Sequence, residues 1–147
     1  MCGGGTIVIE AVMTYPLKAI AMDISEKHLK GAMMNALAAG VADKVTFIRG
    51  DARDIGRYVS SEVDMIVTNP PYGIRLTRRK AIKPLYEGLI KSSTAVLKPG
   101  GMLAVITTED ELFLRLVEET RAPYELVHER RVGHGGLWPR ILVFERL

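Results

Sequence analysis

The 147-residue sequence predicts an α/β fold built on a mostly parallel sheet. Two observations carry that expectation. Short apolar runs of β type alternate with stretches whose apolar residues recur at helical spacing. The last two β-like runs lie so close together that an antiparallel hairpin at the sheet edge must join them. Length and composition agree: 147 residues supply one ordinary core, and 48% hydrophobic with 25% charged residues is the balance of a globular domain.

The elements follow in order. After a glycine cluster, residues 6–13 read as a short helix. Residues 18–22 read as a buried strand closed by Asp23. Ser25 is a natural N-cap, and Leu29, Ala32, Met33, Ala36 and Leu37 form the inward face of a helix that Gly40 ends. Residues 45–48 are a strand ending at Gly50-Asp51, and 55–59 a short helix. Residues 65–67 are a strand running straight into Asn69-Pro70-Pro71-Tyr72. A basic loop, 73–83, leads to Pro84, which opens a helix with Leu85, Leu89, Ile90, Ala95 and Leu97 on its apolar face. Pro99-Gly100-Gly101 closes that helix. A strand at 102–106 and a helix at 109–119, with Leu112, Phe113, Leu116 and Val117 inward, precede the final strands at 125–132 and 141–145. The segment 133–138 between them reads as a hairpin turn, with a loop that closes over a substrate as the other reading.

Composition excludes several classes. No apolar run reaches the roughly 20 residues of a membrane-spanning helix, and the start lacks the layout of a signal peptide. A cytoplasmic protein is expected. Cys2 is the sole cysteine, which excludes an internal disulfide and a multi-cysteine zinc site. His28, His128 and His134 stand at no metal-ligand spacing, so no metal is assigned. The formal net charge is +3 and the pI about 9.1. Arg75, Arg78, Arg79, Lys80 and Lys83 fall in one stretch with no acid between them. Such a cluster suits a phosphate backbone; it suits a solvated loop equally well.

Four segments can carry chemistry. Cys2-Gly3-Gly4-Gly5-Thr6 stands directly before a helix, where glycines let a ligand approach the backbone and free N–H groups await it. Its plain alternative is a flexible start. Asp23 closes a strand 18 residues after Gly5, where a carboxylate can accept from both hydroxyls of a ribose. Capping the next helix is its other role. Gly50-Asp51-Ala52 ends a strand, where Asp51 can accept from an adenine amino group, although Gly-Asp is also a common turn. Asn69-Pro70-Pro71-Tyr72 is the most informative. Its prolines fix the backbone and remove two N–H donors. The Asn69 side-chain oxygen and the Pro70 carbonyl are then free to hold both hydrogens of an –NH₂ group, pointing its lone pair at an incoming methyl. Tyr72 would stack on the planar group bearing that amine.

Taken in order, these segments resemble the class I S-adenosylmethionine (SAM)-dependent methyltransferases, with their Rossmann-like sheet. The cysteine-glycine loop with Thr6, Ile9, Glu10 and Ala11, together with Thr68-Asn69-Pro70-Pro71-Tyr72-Gly73-Ile74-Arg75, is similar to the THUMP-linked RNA guanine-N2 methyltransferases. The resemblance spans the chain and implies SAM as cofactor, with no metal and no covalent intermediate. It implies that Gly3 and Gly5, flanked by Cys2 and Thr6, line the methionine part of SAM. Asp23, with Ile24 beside it, takes the ribose, and Asp51 with Ala52 the adenine. Asn69, Pro70, Pro71 and Tyr72 hold the target base, with Asn69 also bordering the cofactor. Arg75, Arg78, Arg79, Lys80 and Lys83 meet the RNA, tRNA foremost. The base is unstacked to enter, and in-line transfer rests on positioning and electrostatics.

Two departures shape expectations. The family has a central strand before its first glycine motif, and this chain starts inside that motif. The family also has a THUMP domain upstream. The expectation is therefore a catalytic domain over residues 1–147 with its first strand missing and two inner sheet edges exposed. The expectation is a rearranged N-terminus, a gap filled by a second chain or a second copy, or low stability. The alternatives are an N-methyltransferase acting on adenine N6 of DNA or on a protein glutamine amide, and a non-catalytic SAM-binding remnant. The basic stretch and Gly73 favour RNA over the amide. A nicotinamide dehydrogenase lacks its GxGxxG pattern here.

Overall fold

The structure is a computed structural model that describes residues 1–60, 62–71, 76–133 and 136–147, the side chains of 76–80 excepted. The chain divides into two compact units, Met1–Ala52 and Arg53–Leu147.

The first unit carries helix α1 (Thr6–Thr14), strand β1 (Ala19–Asp23), helix α2 (Glu26–Ala38), a 3₁₀ turn (Ala42–Lys44) and strand β2 (Val45–Arg49). β1 and β2 pair in parallel, with Asp23 opposite Arg49. The expected caps operate: Ser25 Oγ accepts from the His28 N–H at 3.3 Å. Ile9, Val12, Ala21, Ala36, Val41 and Val45 form the core. Met33 and Leu37, expected to point inward, are exposed. With Leu29, Ala32 and Ala36 buried instead, the buried stripe is the narrow i, i+3, i+7 one. Gly5 opens α1 at φ +82°, and a Cβ there would stand 3.0 Å from that of Ala32. The glycine thus permits both the left-handed turn and the close approach of α2.

The second unit carries strand β3 (Val63–Thr68), helix α3 (Leu76–Thr94), strand β4 (Leu97–Thr107), helix α4 (Asp110–Thr120) and strands β5 (Tyr124–Arg131) and β6 (Arg140–Arg146). Its sheet runs in the order β3-β4-β6-β5. β3 and β4 are parallel, and β6 is antiparallel to both neighbours. The expected mostly parallel pattern with an antiparallel last strand holds. Tyr86, Phe113 and Phe144 centre its core, Tyr86 edge-on to Phe113 at 5.1 Å and Phe113 5.7 Å from Phe144. A 3₁₀ segment, Ala52–Arg57, lies where a short helix was expected at 55–59 and is kinked at Asp54.

Two local expectations are corrected. Pro84 does not open α3; it lies inside it. Ile82, Tyr86, Leu89 and Ile90 are all buried, and burying that stripe outweighs the one backbone hydrogen bond that proline forfeits. At the other end, α3 stops at Thr94, and Pro99-Gly100-Gly101 lies within β4. Leu97 pairs with Val63 and Met102 with Met65, so residues 98–101 bulge out opposite Asp64 alone. Gly100 at φ +76° makes that excursion possible, and Lys98 Nζ closes it on Asp64 Oδ1 at 2.6 Å. No helix among the described residues is long and apolar enough to cross a membrane.

Candidate cofactor and amine-binding sites

In the first unit the residues singled out around the glycine loop converge on Asp23. The carbonyl of Asp23 accepts from the Gly50 N–H at 3.1 Å, on the β2 side. The carbonyl of Met22 points the other way and accepts from the Cys2 N–H at 2.8 Å and from the Met1 ammonium. Met1 and Cys2 therefore lie along the edge of β1 that β2 does not occupy. The Gly3 N–H donates to Asp23 Oδ2 and the Ser25 N–H to Asp23 Oδ1, both at 2.9 Å. His28 Nδ1 stands 3.4 Å from Oδ1.

Asp23 is 5% exposed. Burial alone would raise its pKa, but the N–H groups of Ser25 and Gly3, with the charges of Met1 and His28, outweigh burial and hold it below the usual carboxylate value. A carboxylate offers about four acceptor directions, and three contacts leave room for a ligand hydroxyl. The sequence marked Ser25 only as a cap and His28 as a plain surface residue. The Asp-x-Ser turn, in which the Asp side chain accepts from the backbone two residues on, was the available signal for Ser25.

Around this carboxylate the unit leaves space of the right kind. Nothing lies within 4 Å of where a Gly3 Cβ would stand, so that side of the loop is open to a ligand. The carbonyl of Gly4 is pinned by Asn35 Nδ2 at 2.9 Å, a contact the sequence did not disclose. Thr6 is exposed at the first turn of α1, which has no side-chain cap. Ile24 follows a buried Asp23 and is 61% exposed, an apolar surface that a planar base would cover. Asp51 is half-buried and Ala52 buried at the following strand end. Burial pushes the Cys2 thiol pKa up, so it is a protonated neighbour and no nucleophile.

In the second unit β3 runs into Asn69-Pro70-Pro71, the described part of the tetrapeptide. Thr68 is opposite Val105 in the β3–β4 ladder. Asn69 is exposed, Pro70 buried and Pro71 exposed. The tip is anchored by one proline while the Asn69 carboxamide faces outward. Thr68 is 7% exposed and its hydroxyl has no hydrogen-bond partner among the described residues, a feature sequence reading missed. Tyr72 and Arg75 lie outside the described residues, as do the side chains of Arg78, Arg79 and Lys80 on α3. Lys83 is exposed, and its ammonium stands 3.7 Å from both Glu87 and Glu119.

Comparison with known proteins follows this geometry. The chain is 37% identical over 98% of its length to a tRNA (guanine(6)-N2)-methyltransferase of Archaeoglobus fulgidus. It is 39% identical over 99% of its length to the enzyme of the same name from Thermus thermophilus. It spans 42% of each of those proteins. The crystal structure of TrmN from Thermus thermophilus superimposes with a TM-score of 0.89 at 36% identity, covering 100% of this chain and 42% of that one. Residues 1–140 match the UPF0020 family. The chain belongs to that family, the RMKL-like methyltransferase domain, whose fold implies S-adenosylmethionine as cofactor.

Proposed function

We propose that residues 1–147 are the catalytic domain of an N-methyltransferase that modifies the exocyclic N2 amine of guanine in RNA, tRNA foremost. The observation that carries this reading is the exposed Asn69 carboxamide beside the buried Pro70 at the end of β3. The names of the relatives support it.

When bound, S-adenosylmethionine supplies a methyl group made electrophilic by its sulfonium. The residues of the first unit suit it: Asp23 for a ribose hydroxyl, the open side of Gly3 for the methionine portion, and Ile24 with Asp51 and Ala52 for the adenine. Asn69 Oδ1 and the Pro70 carbonyl accept the two hydrogens of the amine. That localises the nitrogen lone pair for transfer and would stabilise the positive charge developing on nitrogen. Tyr72 stacks on the base, and Arg75, Arg78, Arg79 and Lys80 meet phosphates. The work takes place in the cytoplasm.

The function is tested by methyl transfer from labelled S-adenosylmethionine to tRNA, DNA and release factor separately. Label on tRNA, recovered as N2-methylguanosine, is expected. Label on protein alone would sink the proposal, and label on DNA adenine would move it to another base.

A further inference from the structure

Trp138 is the sole tryptophan of the chain and is 70% exposed. The Val132 N–H donates to the Pro139 carbonyl at 2.9 Å, which carries the β5–β6 ladder one step past its strands and sets Gly133 opposite Trp138. A Cβ on Gly133 would stand 3.3 Å from the indole ring. The absent side chain thus lets the ring lie against the backbone with its outer face open. Side chains alternate along a hairpin, so Trp138 shares its face with Arg131 and Arg140. Arg140 is tied to Asp110 at 2.9 Å and to Glu129 at 3.3 Å. Arg131 and Arg130 are exposed, and no ion pair joins them to a described residue.

Register places this platform relative to Asn69 within the same unit. Thr68 is opposite Val105, and Thr107 opposite Arg140. Asn69 is thus two strands across from Trp138 and three residues below it. At strand spacings of about 4.8 Å and rises of about 3.3 Å the two are roughly 14 Å apart, a span that a few nucleotides cover.

We propose that Trp138 is a stacking platform for an unpaired base a few nucleotides from the target, with Arg131 on the adjoining phosphate. This rests on the RNA reading above. The test uses the whole chain. Affinity is read from the polarisation of a fluorescein-labelled, unstructured octaribonucleotide carrying one guanine. A parallel titration with the unlabelled oligonucleotide follows the emission of the single tryptophan, which is expected to be quenched as the RNA saturates. Trp138→Leu is expected to weaken binding about tenfold to a hundredfold and to raise KM for RNA while kcat and S-adenosylmethionine binding stay as they were. Trp138→Phe is expected to restore most of the affinity.

RNA binding without quenching, or unchanged affinity in Trp138→Leu, would overturn the platform and leave the RNA reading standing. No polarisation change would remove both. Emission that shifts with protein concentration in the absence of RNA would assign the ring to self-association and overturn the proposal.

Discussion

Asn69 and Asp23 are both acceptors, and their settings separate their roles. Asn69 is exposed on a proline-anchored tip, whereas Asp23 is buried with both oxygens engaged by backbone N–H groups. Asn69→Ala should abolish transfer and leave S-adenosylmethionine binding nearly intact by titration calorimetry. Asp23→Ala should weaken that binding by about 1.5–3 kcal/mol, the loss of a charged hydrogen-bond acceptor. Loss of cofactor binding in the Asn69 variant would show the two roles reversed. Asp23 also makes stability depend on pH. Its folded pKa is depressed, so its contribution is complete above the unfolded value near 3.9 and disappears as pH falls through the lower folded value. Urea midpoints of wild type and Asp23→Asn should therefore differ at neutral pH and converge as acidification goes below the unfolded carboxylate value. Thr68 adds a third case. Its buried hydroxyl has no partner among the described residues, so Thr68→Val should leave the melting temperature unchanged or raise it, by up to about 1 kcal/mol of stability. A clear loss would reveal a partner for that hydroxyl.

At the scale of elements, α3 shows packing overriding local preference. Pro84 signals a helix start, and the helix nonetheless begins at Leu76 because Ile82 belongs to the buried stripe with Tyr86, Leu89 and Ile90. Proline inside a helix costs about 3 kcal/mol relative to alanine. Pro84→Ala should stabilise the second unit by about 1–3 kcal/mol in denaturant unfolding, and destabilisation would mean the ring packs against something worth more. The bulge in β4 makes the same point. Pro99-Gly100-Gly101 reads as a helix stop, and the helix does stop nearby. Only pairing with Val63 and Met65, more than thirty residues upstream, makes the tripeptide a bulge in a strand. By contrast β1, β2, α2, α4 and the β5–β6 hairpin were legible within a residue or two, because each announces itself through local periodicity and caps.

At the scale of the molecule, a net charge of +3 predicts RNA binding that weakens with salt. With Arg75, Arg78, Arg79, Lys80 and Arg131 each on a phosphate, log affinity should fall with log salt at a slope of about −3.5. Lys83 stands between Glu87 and Glu119, so Lys83→Ala should leave that slope unchanged in polarisation titrations. By itself the sequence determined the α/β class, the order of the elements and the asparagine-proline-proline tip, since periodicity, capping and proline stiffness act over a few neighbouring residues. Only the tertiary structure decided that, among the described residues, six strands fall into a sheet of two and a sheet of four. It also decided that Asp23 holds the glycine loop through the Gly3 N–H, and that Gly133 leaves one face of Trp138 open. Each of these depends on hydrogen bonds and contacts between chain segments that local sequence does not pair, and a pattern read along the chain does not contain them.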